Sequence, residues 1–362
     1  PDETLMVALA GHPYIDTRNS FNSLLPSGLE PDLEHRLIDA WLDRLDQHPE
    51  FHDKVEFQVA QTVVDFNFEN DHKERYRDVL THDQYHKYKE HLHILTLNNI
   101  NMVGDNSLLR ALTKTNQLKQ SQQNNHFQSI EQRSLLIPHV AKLLRECQQL
   151  GTLPFSIIAR HAFIAEALLR SAVDRGAMSA ERLDEFKRSL DTVTKKFTGD
   201  FQRVLAGDLD ESTFMQFYGH LRPGTFDILS RRYDQRDNLF HDIREIAQAQ
   251  EIEEFSLSSD EQRAFAALLS ETGLDHVSPE GLLQYAKLAI GNRENSKFIF
   301  TRNLSTALEY IARWGEDIGL SRDDISYLSL QEILDTTNTS VFDDKETYFS
   351  DIIASRRKTF DL

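Results

Sequence analysis

The segment FYGHLRPGTFDILSRRYD (217–234) sets His220 and Arg222 two residues apart between Gly219 and Gly224, with Asp227 just beyond. Glycine allows close approaches and backbone conformations closed to other residues, and Pro223 stiffens the turn. A rigid loop offering an imidazole, a guanidinium fork and a carboxylate suits an anionic or phosphorylated ligand. The competing reading is an interhelical turn in which Arg222 pairs with Asp227 or caps a helix.

Other polar groups stand out against apolar surroundings. In ARHAFIAEALLR (159–170), Arg160, His161, Glu166 and Arg170 interrupt an apolar helix, with Glu166 and Arg170 spaced to pair on one face. They form either a pocket wall or a structural ion pair. SKFIFTRNLS (296–305) brings Lys297, Arg302 and Asn303 together, and Arg18–Asn19 repeats the Arg-Asn pattern. Such pairs hold phosphate or carbohydrate hydroxyls, or serve as helix caps. Histidines crowd residues 72–93, where His82 and His86 share a helical face. That stretch reads H-D-Q-Y-H without the glutamate of a zinc protease, so a solvated face is expected and no metal site. There is no G-x-S-x-G, G-x-x-x-x-G-K-[ST] or G-x-G-x-x-G motif, and Cys147 lies on an apolar helical stripe.

Elements that position these groups follow from patterning. Residues 1–70 read as a small mixed α/β element: HPYIDTRNSFN (12–22) and KVEFQVAQTVVDFNF (54–68) are strand-like, joined by an amphipathic helix with Leu33, Leu37, Ile38, Trp41, Leu42 and Leu45 on one face. Residues 71–335 read as a helical central domain. Pro138 and Pro154 bracket one helix, another runs from Phe155 to a stop at Gly176, and starts are marked by Ser259 with Gln262, Ser278 before Pro279, Ser321 with Asp324 and Ser329 with Glu332. The Gln/Asn-rich stretch 116–130 suits a polar connection or frayed helix, and residues 336–362 a linker and final helix. The expected fold class is mainly α, multi-helical, with a small N-terminal β element of two or three strands.

The 362 residues carry 40 Lys plus Arg against 58 Asp plus Glu, a net charge of −18, which argues against nucleic acid or an anionic membrane as partner. A single cysteine excludes an intramolecular disulfide and suits a cytoplasmic location. No apolar run nears the ~20 residues of a membrane span. The abrupt start, PDETLMVALAGHPYID, is that expected of a segment of a longer chain.

The loop, together with FSIIARHAFIAEALLRSAV, GHPYIDTRNSFNSLLP, KFIFTRNLSTALEYIARWGE and GLSRDDISYLSLQEIL, resembles the central region of phosphoenolpyruvate-synthase-like proteins. Related regions occur in rifampin phosphotransferases, whose comparable loop reads Gly-His-Arg-Gly-Pro. The resemblance spans about residues 5–335. It implies a transferase or kinase with three parts: an ATP-grasp domain using ATP and Mg, a swivelling phosphohistidine domain, and a central domain for a small-molecule acceptor, here this chain. The swivelling domain's histidine follows a Thr- and Gly-rich turn, whereas the only His-Ala here, His161-Ala162, lies in an apolar helix with no glycine before it. That part is absent, as is any ATP-grasp region, so the isolated chain is expected to lack activity and to carry no cofactor itself. Arg222 is then expected to contact the anion, His220 to act as base or orienting donor for the acceptor hydroxyl, and Asp227 to position it. Arg160, His161, Glu166 and Arg18 would line the wall, with Arg302 and Lys297 as further contacts. A helical docking module for the partner domains, binding no small molecule, is the alternative.

Overall fold

Two long helical rods lie side by side at the centre of the molecule. The computed structural model describes residues 5–124, 133–237, 239–242, 254–337 and 345–360. The first rod comprises α6 (Leu136–Glu146), a single π turn (Cys147–Thr152) and α7 (Leu153–Asp174). The expected break between two helices at Pro154 does not occur. Proline removes an N–H and crowds the preceding turn, and the wider π register, with Leu153 N–H donating to Gln148 O, carries the helix past it. The second rod is α13 (Pro279–Asp317), 39 residues and about 58 Å long. Ser278 caps its start by accepting from Gly281 N–H at 3.1 Å.

The rods run antiparallel. Leu136, Ile137 and Val140 pack with Tyr310, Ile311 and Trp314 at one end. Cys147 meets Ile299 and Phe300 midway, and Ile158, Ala165 and Leu169 share a core with Leu282, Tyr285 and Ala286 at the other. The first rod has the length and hydropathy of a membrane span, yet half of its most apolar window is buried within the protein. The helix α5 (Ser107–Asn124) lies against both rods; it takes in the first part of the polar stretch 116–130, whose residues 125–130 fall outside the described residues.

At the N-terminus, β1 (Met6–Leu9) and β2 (His12–Ile15) form an exposed antiparallel hairpin turning at Ala10–Gly11, both at positive φ. The chain then enters α1 (Thr17–Asn22), capped by Asp16, and α2 (Pro31–Gln47), which buries Leu33, Leu37, Ile38 and Trp41 as its periodicity predicts. The mainly helical class with a small β element is as expected, but the second strand is not at 54–68. There a π turn (Val55–Val59) leads into a buried run without regular secondary structure.

Side chains rather than a neighbouring strand satisfy that run's backbone. Val64 N–H donates to Thr96 Oγ1 (3.0 Å) and Phe66 N–H to Ser171 Oγ (3.2 Å), while Tyr88 Oη donates to Gln61 O and Arg175 to Phe66 O (2.6 Å). The β-branched composition matches a buried run that forms no strand, because side chains meet the backbone's demand.

Asp65 ends this run, accepting from Asn67 N–H at 3.0 Å. Burial pushes its carboxyl up to about 7, with Asp71 and Asp174 adding. A carboxyl raised in the folded state stabilises below its unfolded value and loses that contribution as pH rises through about 7. Asp65→Asn is therefore expected to stabilise the chain at pH 8 by on the order of 1 kcal/mol and to lose that advantage near pH 4. Melting curves at both pH values check this, and a variant less stable at pH 8 would refute it.

Around this frame stand α3 (Phe68–Tyr76), α4 (His82–Ile100), α8 (Ala180–Ser189), α9 (Val193–Ala206), α10 (Glu211–Tyr218), α11 (Leu239–Asp242) and α12 (Ser259–Glu271). The cap of α12 is Ser258 with Glu261, one residue before the expected pair. Ser321 and Ser329 cap α14 (Arg322–Ser326) and α15 (Leu330–Asp335) as expected, and Gly176, at positive φ, follows α7. The last helix, α16 (Lys345–Phe360), buries Phe349 and Ile353 against Trp314, and Phe360 stacks on His12 with ring centroids 4.2 Å apart.

Candidate functional site

The glycines of the His220 loop serve close approach. A Cβ on Gly224 would lie 3.0 Å from Asp227 Cβ and 3.2 Å from Ser230 Cβ, and neither Gly219 nor Gly224 has positive φ. Arg222 points inward. Its Nε donates to Ser305 Oγ (3.2 Å), Nη1 to Asp227 O (3.1 Å) and Ser230 O (2.9 Å), and Nη2 to Ser305 O (3.2 Å) and Glu309 Oε1 (2.9 Å). Every N–H of the guanidinium is used, and its side chain is 1% exposed. In this structure Arg222 folds the loop onto α13.

Glu309 is the shared anchor. It also accepts from Arg322 (2.6 Å and 3.1 Å) and from Gln235 Nε2 (2.6 Å). Burial would raise its carboxyl, but those hydrogen bonds and the charges of Arg322 and Arg222 hold it below the usual carboxylate range. Arg302 secures the other side of the loop by donating to Gln216 O (3.1 Å) and Phe217 O (2.6 Å), at the end of α10. Asp227 Oδ1 accepts from Leu229 N–H at 2.8 Å; it makes no hydrogen bond to His220, so the expected positioning pair is not formed.

His220 is 3% exposed and stacks edge-on to Phe298, with centroids 4.8 Å apart. Neither ring nitrogen has a hydrogen-bond partner of sound geometry among the described residues. Burial, with Arg302 and Arg232 nearby, pushes the imidazole down to about 3, and the backbone of Phe298 and Phe217 opposes this only in part. The ring is therefore neutral at physiological pH. It lines a cavity of about 360 Å³ with Thr194, Tyr233, Glu294, Lys297 and Phe298. Glu294 is engaged by the backbone N–H (2.8 Å) and hydroxyl of Thr194. The Lys297 amine is exposed and has no partner among the described residues, which makes it the available cation of this cavity.

Arg160 and His161 line a different cavity, of about 440 Å³, with Ser23, Ser107, Ile157 and Phe163. Arg160 Nη2 donates to Leu24 O and Thr62 O, both at 3.1 Å, tying the N-terminal segment to α7. His161 contacts Tyr285, thirteen positions before the Phe298 that His220 contacts, so about 20 Å of α13 separates the two centres. The motif residues thus divide between two places.

Glu166 accepts from Arg170 (2.8 Å) and Lys187 (2.7 Å), and Arg18 pairs with Asp39 (2.6 Å) at the surface; neither lines either cavity. Asn303 is buried, donating to Leu143 O. The histidines of 72–93 disperse: His72 bonds Gln61, His91 Ser27 O and His93 Thr272 O, and only His82 and His86 meet, with Nε2 atoms 3.1 Å apart.

Glu294, Lys297, Thr301, Ser305 and Glu309 form a polar stripe at helical spacing along α13, facing the loop. That spacing is visible in the sequence and could have singled out Glu294, Ser305 and Glu309, which went unselected. The chain matches no protein-family model, and neither the curated proteins nor the solved structures compared with it give a significant match.

Proposed function

We propose that this chain is the central acceptor-binding domain of a phosphoenolpyruvate-synthase-like, ATP-dependent phosphotransferase, with the cavity beside the His220 loop as the acceptor site. The observation that carries the reading is a neutral, buried imidazole that makes no well-formed hydrogen bond among the described residues, lining a mixed aromatic and polar cavity that also holds Lys297, which has no partner among those residues. A buried polar group without a partner is rare and calls for a ligand, water or functional role. Phosphoryl transfer needs positioning and charge neutralisation more than covalent chemistry from the protein. Lys297 would neutralise the phosphoryl or another anionic group, and neutral His220 would orient an acceptor hydroxyl. Arg222, Glu309 and Arg302 would hold the loop. ATP and Mg belong to the nucleotide domain of the parent protein in this reading.

Melting of the chain with phosphoenolpyruvate, pyruvate, sugar phosphates, nucleotides and rifampin tests it. A ligand at ~100 times its Kd is expected to stabilise by about 2.7 kcal/mol in the native chain. The effect should disappear in Lys297→Met, whose own melting should stay unchanged. A folded chain that no ligand shifts favours the alternative, a helical docking module for the nucleotide and phosphohistidine domains. Its supporting observation is that Arg222 and Arg302 spend their donors on internal carbonyls and carboxylates.

A further inference from the structure

We propose that Ser107, His161 and Tyr285 form a second site, with Ser107 as nucleophile toward a small ester carrying an apolar acyl group. The site is independent of the acceptor cavity. Ser107 opens α5, and its Oγ lies 2.8 Å from His161 Nε2. On the ring's other side Nδ1 lies 2.9 Å from Tyr285 Oη, whose hydroxyl donates to the His161 carbonyl at 3.1 Å. With its proton committed there, the tyrosine oxygen accepts from Nδ1–H. That sets the tautomer and leaves Nε2, at 2.8 Å, nearer to the serine hydroxyl than its other acceptor, Asn99 Oδ1 at 3.5 Å, and free to receive its proton.

Nucleophile, base and orienting group thus occupy the relation that activates a hydroxyl. His161 is 1% exposed while Ser107 is half-buried, so the hydroxyl is the member of the group that meets a ligand. It faces the 440 Å³ cavity, where Leu24, Ile157 and Phe163 supply an apolar wall and Arg160 a cation. The positive end of the 18-residue α5 lies at the reacting oxygen.

In the first step Ser107 Oγ bonds to the ester carbonyl carbon, and the bond from that carbon to the alkoxy oxygen breaks. His161 Nε2 takes the serine proton and passes it to the departing alcohol. Water, deprotonated by the same nitrogen, then releases the acid and restores Ser107. One ester and one water become one acid and one alcohol.

A fluorophosphonate probe added to the whole chain tests this, since Oγ would displace fluoride and leave a covalent mark found by mass spectrometry. Labelling is expected at Ser107, absent from Ser107→Ala, and slowed about tenfold in Tyr285→Phe, which keeps the ring packing but frees Nδ1. Burial pushes His161 down to about 4, so the rate should be level from about pH 5 to 8. Any of three results overturns the proposal: a folded native chain unlabelled at Ser107, labelling no faster there than at Ser23 or Ser156, or a rate at Ser107 rising about tenfold per pH unit as for a hydroxide-activated surface serine.

Discussion

Replacing Gly151 by alanine is expected to destabilise the chain by about 3 kcal/mol, the upper end of overpacking costs. Gly151 sits in the π turn, packed against α13. A Cβ there would lie 2.5 Å from Phe300 Cβ and 3.2 Å from Leu118 Cδ2. Phe300 Cβ is fixed to the backbone of α13 and cannot rotate away, so the rods themselves must separate. Contacts on both sides of the turn would loosen, from Cys147 with Phe300 to Phe155 with Phe300. Thermal or denaturant unfolding of Gly151→Ala measures this directly. A companion change at Gly176, where nothing lies within 4 Å of the added Cβ, should cost less, and only through its positive φ. Equal losses at the two positions would remove the steric account.

Glu309→Ala is expected to cost about 3–5 kcal/mol, because it leaves the buried Arg222 guanidinium without its carboxylate. Glu309 is 8% exposed and joins Arg222, Arg322 and Gln235, so its loss also frees the 219–235 loop from α13. Glu309→Gln keeps the shape but not the charge, and should fall between native and alanine. The depressed carboxyl sets the sign of the pH effect: its contribution is present above the unfolded value near 4.3 and lost as pH falls through the folded one.

The buried histidines act earlier in the same acid titration. His220 is pushed down to about 3 and His161 and His72 to about 4, so the unfolded chain binds more protons below about 6.5 and stability falls from there downward. Unfolding free energy of Glu309→Ala measured between pH 7 and 3 should therefore show the histidine slope intact and the lower, carboxylate part reduced. If both parts were unchanged, Glu309 would have no role in acid stability.

Local signals place most helix ends, where the stabilising interactions are themselves local; at α12 the cap lies one residue before the expected pair. The Ser278–Pro279, Ser321 and Ser329 helix starts, the buried face of α2 and the end of α7 before Gly176 all rest on groups within about a turn of one another. No strand forms at 54–68; β-branched composition reports a buried backbone without naming what bonds it. Here the partners are Thr96 and Ser171, 32 and 105 residues away. Pro154 reads as a boundary because proline disrupts an α register; the π turn that carries the rod past it lies against Phe300 of the other rod.

The candidate site divides in the same way. Residue types at 219–227 marked His220, Arg222 and Asp227, and the Lys297 segment was visible too. Only the fold decided that Arg222 turns inward to Ser305 and Glu309, that Asp227 closes its own turn, and that His161 and His220 lie about 20 Å apart along α13. Sequence records which groups a segment carries and what its immediate neighbours favour. The direction a long side chain takes depends on which distant carbonyl or carboxylate is brought within about 3 Å, and packing the two antiparallel rods settles that.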